Sequence, residues 1–275
     1  MAQPSTMKQT YWFIFSGTEL LLERIEDGMY TIPTGETPPV QPKDGVSPHH
    51  ITSMDDGSEC YAFKLADNQN TPITPPYELC ELRASYYKLP TDLYLKAGKC
   101  HEILYWDSHT QYCGVCGAPM KLHTDISKRC TSCGREVWPQ LATAVIVLVH
   151  RKRMDVATHE PIDEVLLVHA RNFRRDFFGL VAGFVETGET LEEAVHREVM
   201  EETGITIGNL RYFGSQPWPY PCGLMVGFHA DYVSGSIRLQ SEELSQGAWF
   251  RREHLPEIPE KLSIARRLID DWLHT

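Results

Sequence analysis

An α+β fold is what the sequence predicts, and three observations carry that expectation. Apolar runs of strand length recur at Tyr11–Phe15, Leu20–Ile25, Tyr61–Leu65, Leu141–Val149, Val165–Val168, Leu180–Val185 and Leu224–Ala230, bounded by Gly, Pro or polar residues. Helical periodicity is confined to Asp92–Ser108, Leu191–Thr203 and a stretch from Ser263 through Trp272. Two CxxC pairs stand between the first helix and the longest strand, dividing the chain into 1–108, 109–137 and 138–275.

Composition narrows the class. A chain of 275 residues has room for two domains, or for one catalytic domain with appendages. With 42% hydrophobic and 23% charged residues it reads as a soluble globular protein. Lys plus Arg number 26 against 37 Asp plus Glu, a net charge of −11, which argues against holding nucleic acid on a broad basic face and leaves only a local basic pocket. The first residues, MAQPSTMKQTYWFIF, lack the pattern of a signal peptide, and Leu141–Val149 is too short to span a bilayer, so no membrane partner is expected. Of the eight cysteines, Cys60, Cys80, Cys100 and Cys222 are scattered singly, and a cytoplasmic, reducing location is expected.

In chain order, residues 31–57 are rich in Pro, Gly and polar side chains and predict a long loop. Arg83, taken alone, reads as a solvated arginine. The helix over 92–108 presents Leu93, Ala97, Cys100, Ile103 and Leu104, although Gly98 weakens it. Cys113, Cys116, Cys130 and Cys133 sit on paired knuckles, each followed by a glycine (Gly117, Gly134), the spacing of a closed, structural Zn²⁺ site. A pair of disulfides is the alternative. A nucleic-acid-reading ribbon finds only Lys121, Lys128, Arg129 and Arg135 in its favour.

LATAVIVLV predicts a strand covered on both faces, and residues 151–163 a polar hairpin or loop. Arg171, Arg174 and Arg175 read as solvated loop charges, one of which could meet phosphate. Asn209–Gly214 predicts a short strand ending in SQPWPYPCG, residues 215–223, whose three prolines predict a rigid loop holding Trp218 and Tyr220. A packed surface turn is the alternative. Glu242 and Glu243 precede Trp249 and Phe250, and Ser263 caps a last helix that buries Ile264, Leu268 and Ile269.

The chemistry concentrates between Gly183 and Ile205. Thr190 with Glu193 makes a capping box, and Gly204 supplies a left-handed stop. Leu191, Ala194, Val195 and Val199 form the apolar stripe, yet Glu198 and Glu202 project from its middle and Glu201 from its flank. The helix dipole disfavours anions in this half of the helix. Burying them unpaired would cost several kcal/mol, comparable to the stability of a domain. A hard divalent cation removes the conflict. An ordinary Glu-rich surface helix accounts for Glu192, Glu193 and His196, but not for Glu198 and Glu202.

Gly183, five residues, Glu189, seven residues, Arg197-Glu198-Val199, then Glu201-Glu202 and Gly204-Ile205 resembles the Nudix box without a departure. Together with the cysteine ribbon and SQPWP, the chain resembles the NADH pyrophosphatase subfamily of Nudix hydrolases, which also remove NAD caps from RNA; the likeness runs from about Tyr112 to the end. The resemblance implies a C-terminal Nudix α/β/α sandwich with a mixed sheet, preceded by a four-cysteine zinc ribbon and a smaller N-terminal, Nudix-like α+β domain. It implies that Glu198 and Glu202 bind catalytic Mg²⁺ or Mn²⁺, about two to three ions with substrate. Glu201 would assist, and Glu243 and the carbonyl of Ala182 would join the site. Gln216, Pro217, Trp218, Pro219, Tyr220, Pro221, Cys222 and Gly223 would line the dinucleotide pocket, with Phe184, Trp138, Ala265 and Arg83 contacting the nicotinamide or adenosine parts. Two positions depart from the pattern: Trp138 replaces a usual tyrosine, and Gly223 a frequent serine.

The same resemblance implies a homodimer whose active site takes residues from both subunits, with one Zn²⁺ per chain. The expected reaction is hydrolysis of NADH or NAD⁺ to nicotinamide mononucleotide and AMP, on the free dinucleotide or on capped RNA. Hydrolysis of ADP-ribose or diadenosine polyphosphates is the nearest alternative. A catalytically silent zinc-ribbon module binding RNA or protein is the alternative of another class.

Overall fold

In the computed structural model, residues 9–42, 45–65, 72–156, 159–171 and 176–275 are described. They cluster into two units, one reaching Gln140 and including Pro219–Cys222, the other formed by Leu141–Trp218 and Gly223–Thr275.

The first unit begins with β1 (Thr10–Ser16), β2 (Glu19–Arg24), β3 (Tyr30–Thr31), β4 (His49–Ser53), β5 (Glu59–Lys64) and β6 (Tyr77–Glu81). Among the described residues they form a six-stranded sheet ordered β3-β2-β1-β5-β4, with β6 on β2 and β1 parallel to β5. Trp12 and Ile14 of β1 face one apolar cluster with Leu21 and Phe63, while Phe15 meets the His101 ring at 5.5 Å. The expected loop over 31–57 is thus interrupted: His49 and Ile51 turn inward at 7% and 3% exposure, so a short alternating strand lies hidden among the turn residues. β6 and the helical turn α1 (Leu82–Ser85) were not predicted either.

α2 (Thr91–His109) buries Leu93, Ala97, Cys100, Ile103 and Leu104 as its periodicity predicts. Gly98 has a packing reason. A Cβ there would come within 3.0 Å of the Pro219 ring, and Tyr220 Oη lies 2.9 Å from Tyr94 Oη. The ribbon follows as β7 (Met120–Thr124), β8 (Ser127–Cys130) and β9 (Glu136–Val137), antiparallel throughout. Its Lys128, which from sequence could have faced nucleic acid, is 2% exposed: the ammonium reaches the Asp107 carboxylate at 2.7 Å and the Asp107 and Thr110 carbonyls at the end of α2.

The second unit contains β10 (Ala142–Met154), β11 (Pro161–Ala170), β12 (Val181–Phe184), α3 (Leu191–Thr203), β13 (Ile205–Trp218), β14 (Gly223–Gly235), β15 (Leu244–Arg251) and α4 (Ile264–His274). Its sheet runs β13-β14-β10-β11-β15, with β12 on β10, and is mixed because β10 and β14 are parallel. Side-chain alternation explains the continuous apolar run in β10. Val145, Val147 and Val149 pack with Ala194, Val195 and Val199 of α3, while Ile146 and Leu148 pack with Ile264, Leu268 and Ile269 of α4. The α/β/α layering follows.

Residues 151–163 form the polar hairpin: β10 runs to Met154, β11 starts at Pro161 and the two pair antiparallel, while Arg151 and Arg153 both reach the buried Glu164, a charged cross-strand cluster. One expectation, the rigid loop over 215–223, is corrected here. Ser215–Trp218 is strand, paired as far as Trp218↔Gly223, and only Pro219–Cys222 turns. β13 is the outermost strand of its sheet, where a proline costs no ladder hydrogen bond, so Pro217 is tolerated. Arg174 and Arg175 lie outside the described residues. No helix among the described residues is long and apolar enough to cross a membrane.

Candidate active site

α3 holds the site because both its ends are fixed. The Glu193 amide donates to Thr190 Oγ1 at 3.2 Å, and the Thr190 amide donates to Glu193 Oε2 at 2.8 Å. At the far end Gly204 takes φ 68° and its amide donates to the Met200 carbonyl. Ala194, Val195 and Val199, all fully buried, set the helix rotation, which drives Glu202 to 4% exposure and turns Glu198 toward β12. There the Glu198 carboxylate lies against Gly183 so closely that a Cβ at that position would fall 1.9 Å from Glu198 Cδ. Only glycine leaves this space open.

Beside the helix is a cavity of about 310 Å³ lined by Glu202, Glu243, Glu242, Arg171 and Ala182. Burial, followed by the charges of Glu198, Glu243 and Glu201, pushes the Glu202 carboxyl up to about 8. Glu198 is also raised, by burial first, against the opposing pull of Arg197.

Arg197 does not reach into this cavity; it fans across the outer side. It donates to both oxygens of Glu189 at 2.5 and 2.9 Å, to the Phe184 carbonyl at 3.0 Å, to Glu198 at 2.8 Å and to Glu201 at 3.2 Å. These bonds hold Glu189 down at about 2.

Both metal sites pass a chemical test. Glu202 and Glu243 bring carboxylate oxygens to the cavity that Ala182 also lines, the kind of donor a hard divalent ion takes. Among the described residues, the four cysteines are the one group of three or more potential ligand atoms all within 4.8 Å of one another. The glutamates are more widely spaced, which suits Mg²⁺ or Mn²⁺ completing its shell with water and substrate oxygens. In the ribbon, Cys113 Sγ lies 3.6 Å from Cys133 Sγ and Cys116 Sγ 3.4 Å from Cys130 Sγ. A Zn²⁺ tetrahedron with bonds of ~2.3 Å has similar edges. All eight cysteines are free thiols, so the disulfide alternative falls. Amides of Cys133 and Ser132 point at Cys130 and pull its thiol down to about 6, favouring the thiolate that zinc binds.

The remaining predicted residues are divided between the units. Within the second, Phe184 is 66% exposed beside Gly183; Gln216, Pro217 and Trp218 end β13, opposite Gly223. The Gln216 side-chain amide donates to the Leu262 carbonyl. Ala265 is 8% exposed, packed into the apolar layer under α4. Within the first unit, Trp138 is half-exposed, Arg83 is exposed on α1, and Pro219, Tyr220, Pro221 and Cys222 form the turn beside Tyr94 and Gly98.

Sequence reasoning gave no role to Glu189 or Arg197 beyond their place in the motif, and it left Glu242 outside the site and Arg171 as a loop charge. Fixed spacing to Glu198 was the available signal for the first two. Arg171 and Glu242 come close only through the pairing of β11 with β15, which local pattern does not reveal.

Three family models match the chain: a NUDIX domain over residues 140–273, an NADH pyrophosphatase-like rudimentary NUDIX domain over 9–106, and an NADH pyrophosphatase zinc ribbon domain over 108–137. Curated relatives include the NAD-capped RNA hydrolase NudC of Deinococcus radiodurans, 41% identical over 199 residues, 72% of this chain and 69% of that one. The protein of the same name from Pseudomonas aeruginosa is 42% identical over 183 residues, 66% of this chain and 62% of its own. That of Chromobacterium violaceum is 33% identical over 270 residues, 97% of this chain and 93% of the relative.

Proposed function

We propose that this chain, which belongs to the NUDIX family in its NADH pyrophosphatase branch, hydrolyses the pyrophosphate bond of NADH and NAD⁺ to nicotinamide mononucleotide and AMP, and removes NAD caps from RNA. The observation that carries the proposal is Glu202, 4% exposed with its carboxyl raised to about 8, in a cavity lined also by Glu243 and Ala182, beside Glu198.

In this proposal Glu198, Glu202, Glu243 and the Ala182 carbonyl hold Mg²⁺ or Mn²⁺, with Glu201 assisting. When bound, such ions lower the pKa of a coordinated water and neutralise charge building on the phosphates. The chain's own part is geometric and protonic. Gly183 and the α3 caps fix Glu198 and Glu202 in place. Glu201, which Arg197 holds at 3.2 Å, and Glu243, which lines the cavity, are the two candidates to take the proton of the attacking water. Gln216, Pro217, Trp218, Pro219, Tyr220, Pro221, Cys222 and Gly223, with Arg83, Trp138, Phe184 and Ala265, are assigned to dinucleotide binding. Trp218 and Phe184 offer flat faces for a base. The proposal includes one structural Zn²⁺ on Cys113, Cys116, Cys130 and Cys133, a division into 1–108, 109–137 and 138–275, a cytoplasmic location and a homodimer with a shared active site.

Product analysis after incubation with NADH tests it. AMP and reduced nicotinamide mononucleotide should appear only with Mg²⁺ or Mn²⁺, and kcat/KM for NADH should exceed that for ADP-ribose. A preference for ADP-ribose would move the chain to the other Nudix specificity. Salt-sensitive RNA binding without any ion-dependent hydrolysis would favour a silent binding module.

A further inference from the structure

The segment from Gln240 to Leu244, which carries Glu243, is suspended between two supports. On one side the Gln240 amide donates to the backbone carbonyl of Glu202 at 3.0 Å, joining the segment to the end of α3. On the other it meets the end of β11, where the ladder slips: the register shifts between His169 and Ala170, and Ala170 pairs with Leu244. Past that slip the regular ladder ends and Arg171 continues the attachment. Its amide donates to the Glu243 carbonyl at 2.8 Å, and its side-chain Nε donates to the Ser241 carbonyl at 2.6 Å. Inside the segment, the Glu243 and Leu244 amides both turn back to the Gln240 carbonyl, at 3.1 and 2.9 Å.

We propose that Arg171 is a positioning residue for the hydrolysis, its guanidinium clamping the Ser241 carbonyl so that Glu243 is held in the cavity with Glu202. This rests on the function proposed above. Glu243 sits on an exposed turn that only the buried Leu244 and a few hydrogen bonds hold, whereas Glu198 and Glu202 sit on a capped helix. Of the ties between Arg171 and the segment, the backbone one persists whatever side chain stands at 171. The Nε bond is the one that a side-chain substitution removes without touching the ladder. The same residue lines the cavity, so the guanidinium has a second conceivable use as a direct phosphate contact. The two uses differ in what they do to kinetics. A phosphate contact acts on substrate binding and is independent of Glu243; a clamp acts only through Glu243.

Two measurements on the full chain test this. Hydrogen exchange, which needs no substrate, should show the amides of 240–244 in Arg171→Ala exchanging at least ~10-fold faster than in the unaltered protein, with those of α3 unchanged. Steady-state hydrolysis of NADH at saturating Mg²⁺ should show kcat down by ~10- to 100-fold with KM within ~3-fold, and Arg171→Lys, whose ammonium can still donate to Ser241, should recover most of the loss. In a double-mutant cycle, Arg171→Ala should add less than ~2-fold to Glu243→Gln. Unchanged exchange at 240–244, a loss that appears mainly in KM, or a full additive loss on top of Glu243→Gln would each overturn the assignment. Should the unaltered protein fail to hydrolyse NADH, the proposed reaction is wrong, while the exchange experiment still decides whether the clamp exists.

Discussion

Glu202→Gln should stabilise the metal-free protein while removing its activity. Burial and three neighbouring carboxylates raise the Glu202 carboxyl from its ordinary 4.5 to about 8. For an acid raised in the folded state, the stabilising contribution is complete below the unfolded value and is lost as pH climbs through the folded one. The loss therefore accumulates between about pH 4.5 and 8. At ~1.4 kcal/mol per pH unit it reaches on the order of 4 kcal/mol at the top of that window. Glutamine keeps the shape of the protonated acid and carries no charge at any pH, so the variant escapes the loss. For a unit of this size each kcal/mol moves the melting temperature by ~2–4 °C, so the difference is roughly 10 °C.

The assay is thermal unfolding of both proteins in a chelator. They should melt together at pH 5, and the variant should melt higher at pH 8. Adding Mg²⁺ or Mn²⁺ should then raise the unaltered protein and leave the variant nearly unmoved, since bound ions stabilise only the form that holds them. Parallel pH dependence in the two proteins would show that Glu202 bears no buried charge, and near-normal turnover by purified Glu202→Gln would place the metal elsewhere.

Gly183→Ala puts a methyl group 1.9 Å from Glu198 Cδ, so the carboxylate must leave its seat; kcat should fall ~10²-fold with the circular dichroism spectrum retained, and undiminished turnover would refute the close approach. Arg197→Lys replaces a fork bonded to Glu189, Glu198, Glu201 and the Phe184 carbonyl by a single ammonium, and steady-state kinetics should show kcat/KM lowered at least ~10-fold. Cys116→Ser should abolish bound zinc by elemental analysis and lower the melting temperature, because one of the four sulfurs within 4.8 Å is lost; retained zinc would mean that the metal does not need the quartet.

What could be read from the chain follows from how local each signal is. α3 was legible to the residue, since its cap, its stop and its apolar stripe all lie within the fifteen positions from Thr190 to Gly204. The cysteine quartet was legible for the same reason, its ligands lying on two short turns. The end of β13, Ser215–Trp218, was misread as loop because Pro217 argues against a strand unless one knows that it is the last in its sheet, and strand order is a property of the whole chain. β4 was lost because five residues of alternation carry little weight inside a long polar stretch. In the site, Glu198 and Glu202 betrayed themselves by breaking a helical pattern. Arg171 and Glu242 break no pattern at all, and only the pairing of β11 with β15 brings them to the cavity.

The irregular course of β13 has a further effect, on the protein's behaviour in company. An outermost strand with evenly spaced free amides and carbonyls invites another chain to extend the sheet, which is how fibrous assemblies start. β13 offers no such template: its pairing slips at Thr206/Ile207, at Gly208/Arg211 and at Tyr212/Gly214, Asn209 is kinked to φ 50°, and Pro217 contributes no donor. These bends protect its flank from polymerisation at high concentration.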